Sequence, residues 1–291
     1  MNARLARKKL VVVTGKGGVG KSTLSVTIGR LLAGKPWSRR ALVLETDPRE
    51  SLHQLLGVAP SGGAIVPAGT RLRIQNVQAR AVHEEIVRER VRIAALARRI
   101  VASPLFQHFT AAAPGLNELA VLVHAYRLLQ GRKADVVVLD APATGHGLSL
   151  LAAPQLVADV ISGGPVGELA RELANFVADP ERCGIVVVTQ AEEMVVQEAI
   201  ELIASLKTRL GTRPELVVVN ALYPPLPQSA SPHAPADALR LWTARRRANE
   251  QELVRLRAAW DGPRVDLPLV PLERGPALVG ALAEMFGNPG R

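Results

Sequence analysis

Aliphatic residues in this chain gather in short unbroken runs separated by longer stretches of helical spacing. Leu10–Thr14, Ala41–Glu45, Val136–Asp140 and Ile185–Thr189 read as strands buried on both faces, and Leu216–Asn220 as a fifth. Leu72–Val77 and Val265–Leu269 are weaker candidates. Helical periodicity covers Ser22–Leu32, Leu116–Leu129, Leu148–Ile161, Val166–Val177, Ala191–Leu210 and the Arg-rich Ala238–Trp260. Ala79–Val101 reads as one helix with Val82, Ile86, Ile93, Leu96 and Ile100 on one face and Glu84 four residues before Arg88 on another. Gly57–Thr70 and Tyr223–Ala236 are rich in Gly or Pro and read as surface loops. Alternating strands and helices predict an α/β fold with a doubly wound, mainly parallel sheet and helices on both faces. One domain over 1–291 is expected, with helical subdomain elements at about 79–131 and 147–178.

Composition agrees with a buried parallel sheet. The chain is 48% hydrophobic but only 3% aromatic, so the core must be built from Val, Leu, Ile and Ala. The formal charge is +10, carried by scattered arginines that suit a solvated surface better than a nucleic-acid patch. The Arg245–Arg247 triplet can be read either way, as a solvated helix face or as a phosphate-backbone contact. Cys183 stands alone, which excludes an intrachain disulfide, a cysteine zinc site and a cluster of the nitrogenase-reductase kind; it reads as a buried thiol. The apolar stretch after the basic N-terminus is too short for a signal peptide and no run could span a bilayer, so a cytosolic location is expected.

The candidate chemistry begins at the end of the first strand. Gly15-Lys16-Gly17-Gly18-Val19-Gly20-Lys21-Ser22, followed by Thr23, fits G-x-x-x-x-G-K-[ST] between a strand and a helix. Glycines let several backbone N–H groups approach phosphate oxygens together, and the helix end adds its own unpaired donors. Lys21 supplies charge toward the β- and γ-phosphates, and the Ser22 hydroxyl is placed to ligate Mg²⁺. Lys16 lies where an ordinary loop of this kind needs no cation. Asp47 and Asp140 both follow strands, at the carboxyl edge where doubly wound sheets bind ligands. Asp140 reads as an aspartate supporting the metal. Asp47 can orient or deprotonate an attacking water, although Asp before Pro is also a common turn or helix cap.

With these residues assembled, the chain resembles the ArsA family, which includes the arsenite-pump ATPase and ATPases that target tail-anchored membrane proteins. Gly15–Thr23 is similar to the family P-loop, and Thr46-Asp47-Pro48 with Ser51-Leu52 to its first switch. Asp140–Leu151 resembles the second switch, and Ala113-Pro114-Gly115 with Glu118 a preceding block. Asn220 falls where the family contacts adenine, and Leu267-Pro268-Leu269 with Glu273-Arg274-Gly275 resembles its last strand and adenine-side loop. The resemblance implies ATP and Mg²⁺ as ligands, Asp47 as the water-activating group, and Lys16 reaching across a dimer to the partner's nucleotide. It also implies that Thr144, Gly145 and His146 sense the γ-phosphate; His146 flanked by glycines could equally pack in a loop. The dimer could be homotypic or pair this chain with a related one.

Departures bear on the cargo. One cysteine supplies neither the zinc clasp nor the metalloid site of the known members, so no structural zinc is expected. Met1, Met194 and Met285 all lie outside 79–177, which leaves no Met-rich client groove there, and Arg49-Glu50 replaces the usual small residue and histidine of the first switch. The expected function is an ATPase that drives a protein-targeting or transport partner. A MinD- or ParA-like positioning ATPase and a nucleotide-bound scaffold with negligible turnover are the alternatives.

Overall fold

The computed structural model describes residues 3–90, 94–104, 115–161, 163–226 and 235–287. In chain order the elements are α1 (Ala3–Arg7), β1 (Leu10–Gly15), α2 (Lys21–Ala33), β2 (Ala41–Glu45), α3 (Leu52–Leu56), β3 (Val66–Pro67) and β4 (Leu72–Asn76). Then come α4 (Ala79–Arg90), α5 (Ala94–Ala102), α6 (Leu116–Gln130), β5 (Val136–Asp140), α7 (Thr144–Val160), α8 (Gly164–Ala178) and β6 (Cys183–Gln190). The chain continues through α9 (Glu193–Leu210), β7 (Leu216–Leu222), α10 (Ala236–Ala259), β8 (Arg264–Pro268) and α11 (Pro276–Gly287).

The strands form one sheet of order β3-β4-β2-β5-β1-β6-β7-β8, parallel throughout except for the short antiparallel β3. Side chains along each strand alternate between two apolar layers. Leu10 and Val12, with Val137, Leu139, Ile185, Val187, Val217 and Val219, pack under α6, α7, α8 and α9. Val11 and Val13, with Val136, Val138, Val186, Val188 and Val218, pack under α2, α3 and α11. Both faces of the central strands are therefore dry, which is why β1, β2 and β5 are aliphatic until the polar Thr14, Glu45 and Asp140 at their carboxyl ends.

The structure corrects several expectations. The single helix expected over Ala79–Val101 is two described helices, α4 and α5, with residues 91–93 outside the described set. Val82 and Ile86 do meet the core, whereas the side chains of Ile93, Leu96 and Ile100 lie outside the described residues. The expected loop Gly57–Thr70 contains β3, and the part of Tyr223–Ala236 from 227 to 234 is outside the described residues. α7 begins at Thr144, a full turn before the expected Leu148, and carries Pro154 inside it. Cys183 opens β6 and is buried, and burial pushes its thiol up to about 12.

Candidate functional site

The turn between β1 and α2 is built by backbone geometry that few residues tolerate. Gly15 has φ 148°, and a Cβ there would sit 2.1 Å from the Val188 carbonyl oxygen on β6. Gly20 has φ 95°, and a Cβ would lie 2.5 Å from Asn220 Nδ2. Asn220 fills that space itself, donating from Nδ2 to the Val19 carbonyl at 2.9 Å. The end of β7 thus braces the loop directly. Lys21 opens α2, and its Nζ donates to the Lys16 carbonyl at 2.9 Å. Burial lowers the Lys21 pKa, opposed by the charge of Asp140, so the ammonium is poised to gain from an incoming anion.

Asp140, at the end of β5, is buried beside the start of α2. Ser25 Oγ donates to its Oδ1 at 2.9 Å, and the Ser22 hydroxyl lies near enough to help lower the pKa of the same carboxylate. Burial raises its pKa to about 6; the two serine hydroxyls and Lys21 pull it down, and the Glu45 charge adds to the rise. Glu45, buried at the end of β2, accepts from Ser51 N at 2.7 Å, Ser51 Oγ at 2.5 Å and Leu52 N at 3.4 Å. It ties the first turn of α3 to the sheet and fixes the far side of the Asp47 loop. Neither Ser25 nor Glu45 stands out in the sequence. Ser25 lies three residues after Ser22, on the same helix face, and that spacing is the signal that could have found it.

Asp47 Oδ1 accepts from Arg49 N at 2.9 Å, and the Asp47 carbonyl accepts from Asn76 Nδ2 at 2.6 Å. The turn-capping interaction typical of Asp-Pro is therefore present. The same residue faces the loop glycines across a cavity of about 920 Å³, lined also by Lys21, Ser22, Thr23, Pro48, Asp140, Arg274 and Leu278. Glu50 has an anchoring part in this loop: its carboxylate accepts from Ser61 N at 2.7 Å and Gly62 N at 3.1 Å. Arg49 and Glu50 also line the cavity.

Other expected site residues are placed differently. Lys16 turns to its own α9, where Nζ meets Glu198 Oε1 at 2.6 Å. Thr144, Gly145 and His146 form the first turn of α7 directly after Pro142 and Ala143, which line the cavity; the three side chains lie outside the described residues. Pro268 ends β8, and Leu269 N donates to the Leu222 carbonyl at 2.7 Å; neither is among the described residues lining the cavity, whereas Arg274 is. Ala113 and Pro114 are outside the described residues, and Gly115 caps α6 in a left-handed conformation.

A second cavity of about 690 Å³ adjoins the first and shares Thr46, Pro48 and Pro142 with it. Its other walls include His83 and Glu84 on α4, and Asn117 and Glu118 on α6. His83 sits below the usual imidazole pKa because it is buried, although it contacts the Leu116 carbonyl at 3.1 Å.

The Ser22 hydroxyl and the Asp140 carboxylate, both on the cavity wall, form a hard oxygen pair suited to Mg²⁺. Among the described residues no group of three or more His, Cys, Asp or Glu gathers for a metal. An ion at Ser22 and Asp140 would therefore complete its shell mainly from phosphate and water, as magnesium does in nucleotide sites.

The family model for ArsA-type anion-transporting ATPases matches residues 8–163, which include the β1–α2 loop, Asp47, Asp140 and the start of α7. ATPase BagA of Mycobacterium tuberculosis is 30% identical over 238 residues, covering 76% of this chain and 67% of its own length. ATPase GET3 of Malassezia globosa is 25% identical over 316 aligned positions, covering 97% of this chain and 91% of its own. An ATPase ASNA1 homolog of Dictyostelium discoideum is 29% identical over 150 residues, 51% of this chain and 43% of its own.

Proposed function

The chain belongs to the ArsA family of anion-transporting ATPases and is an ATP-hydrolysing enzyme, and on that premise we propose that it works as a nucleotide-switched dimer driving a protein-targeting or transport partner in the cytoplasm. The observation that carries this reading is the gathering of Gly17, Gly18, Gly20, Lys21, Ser22, Thr23, Asp47 and Asp140 around one cavity. Backbone amides of the loop and the first turn of α2 hold the β- and γ-phosphates, and Lys21 neutralises the charge that builds there. Mg²⁺, held by Ser22 and supported by Asp140, would offset the negative charge of the phosphate oxygens. Asp47 orients and deprotonates the water that attacks the γ-phosphorus, and ADP and phosphate leave. Asn220 and Arg274 flank the nucleoside end.

Transmission is supported by the second cavity. Pro48 and Pro142, which meet the nucleotide cavity, also wall the space against α4 and α6, so a shift of either loop changes the packing of those helices. The helices from α4 to α8 form the output, and Thr144, Gly145 and His146 its trigger. Lys16 acts on the partner protomer's nucleotide as a trans-acting cation, which requires its pair with Glu198 to open.

Light scattering with Mg·ATP is expected to show a dimer that ADP does not support. Asp47→Asn should trap that dimer and cut turnover by about 10²–10⁴-fold. Lys16→Ala should lose turnover while still binding ATP. A protein that stays monomeric through turnover sinks the dimer, and full activity in Asp47→Asn sinks the assigned base. The trapped Asp47→Asn form is the bait for capturing the partner.

A further inference from the structure

Parallel strands place all their amino ends on one edge of the sheet, about 20 Å from the nucleotide edge given the six residues of β1. Below β2, β5, β1 and β6, four adjacent strands, that remote edge contains a cavity of about 400 Å³. Arg7, Lys9, Arg40, Arg132 and Arg182 line it, against two carboxylates, Asp135 and Glu181. The excess is three positive charges.

One carboxylate is already committed. Asp135 takes Arg40 through N at 2.9 Å, Nε at 3.1 Å and a terminal nitrogen at 2.5 Å, and its pKa falls to about 2 on that account. Among the described residues, no salt bridge joins Arg7, Lys9, Arg132 or Arg182 to a carboxylate. These cations could simply complement the carboxyl ends of α6, α8 and the short α1, whose last turn contains Arg7 and which lead into strands at this edge. Each such end is worth about half a negative charge, so the three together offset about 1.5 of the three positive charges.

The cavity is also pre-shaped. Its floor is the edge-on pair of Tyr126 and Phe176, with ring centroids 5.0 Å apart, and Tyr126 is tethered to Glu172 and Gln130. Arg182 lies 4.4 Å over the Phe176 ring, which orients its guanidinium, and its backbone is fixed because its carbonyl accepts from Lys9 N at 2.8 Å and Leu10 N at 3.0 Å. We propose that this cavity is a second anion site, remote from the ATP site, that takes a phosphoryl group carried on a small organic ligand or a lipid headgroup. Arginine donors match phosphate oxygens in fork geometry, and an aromatic floor accepts the attached carbon skeleton. The proposal does not depend on the dimer or on the partner.

The test uses the full chain saturated with the magnesium complex of a non-hydrolysable ATP analogue, which fills the γ-phosphate position of the ATP site, and titrated calorimetrically with inorganic phosphate. The comparison is a triple variant, Arg7→Gln, Lys9→Gln and Arg132→Asn. Arg132 has φ 52°, which asparagine tolerates, and all three side chains are exposed, so the fold should survive. The expected result is saturable binding weakened at least about tenfold in the variant, with ATP turnover unchanged. Co-flotation of the wild type, but not the variant, with phosphatidylcholine vesicles containing phosphatidic acid assigns the ligand to a lipid. Phosphate binding without flotation assigns it to a soluble phosphate ester. Equal phosphate binding by the two proteins, or none by the wild type, overturns the proposal. So does duplex DNA bound in preference to the vesicles and released by the same substitutions.

Discussion

Replacing Glu198 with glutamine should make the ATP-bound dimer tighter. Lys16 Nζ and Glu198 Oε1 stand 2.6 Å apart, with side chains 34% and 31% exposed. A pair that wet is worth about 0.2–1 kcal/mol after solvent screening. If Lys16 must leave Glu198 to reach the neighbouring nucleotide, two such pairs open per dimer. The combined cost is about 0.4–2 kcal/mol, or about 2- to 30-fold in the dimer dissociation constant. Sedimentation equilibrium with Mg·ATP in the Asp47→Asn background removes turnover from the comparison. Adding Glu198→Gln should then lower the dissociation constant by that factor, and the gain should shrink at high salt, where the wild-type pair is already weakened. A constant unchanged in low salt would refute the idea that the pair opposes assembly.

Three further outcomes are expected. Ser25→Ala removes a hydroxyl from a buried carboxylate and should cost about 1.5–3 kcal/mol by urea unfolding, with slower turnover; an unaffected midpoint would mean Ser25 does not support Asp140. Asp135→Asn should destabilise by about 1 kcal/mol near neutrality, since the residue is partly exposed. The folded pKa of Asp135 is depressed to about 2 from 3.8, so its contribution is present above the higher value and lost as pH falls toward the lower; a difference between the two proteins that grows on acidification contradicts this. Cys183 should resist thiol reagents at mildly alkaline pH in the folded protein and react on unfolding, because burial keeps the thiol protonated; rapid labelling of the native chain would contradict its burial.

The sequence made the sheet legible because β1, β2 and β5 are aliphatic on both faces up to Thr14, Glu45 and Asp140, whose polarity marks the carboxyl ends. Short or composite elements were not legible. α3 is five residues long, too short for a period to emerge, and is held by the Glu45 carboxylate on its first amides. The start of α7 contains Gly145 and Gly147, poor helix formers, yet the Gly147 amide bonds to the Ala143 carbonyl at 3.2 Å and the turn closes. The β1–α2 loop, Asp47 and Asp140 could be found from spacing and strand ends. Glu198 could not, since nothing local to it marks a partner 182 positions away. Pro268 and Leu269 stand beside the expected region rather than in it, because β8 ends against β7 and the chain reaches the cavity only at Arg274.

Pro154 gives α7 a particular mechanical character. Thr144–Ala153 makes a rod of about 15 Å ahead of it. A proline there has no amide for the Leu150 carbonyl and crowds it, so the backbone ladder is interrupted at one rung. Torque applied at Thr144 would be carried stiffly over the leading segment and relieved at the proline, within a helix that packs against α8. The element is therefore a jointed crank, and substituting alanine at 154 would weld the joint.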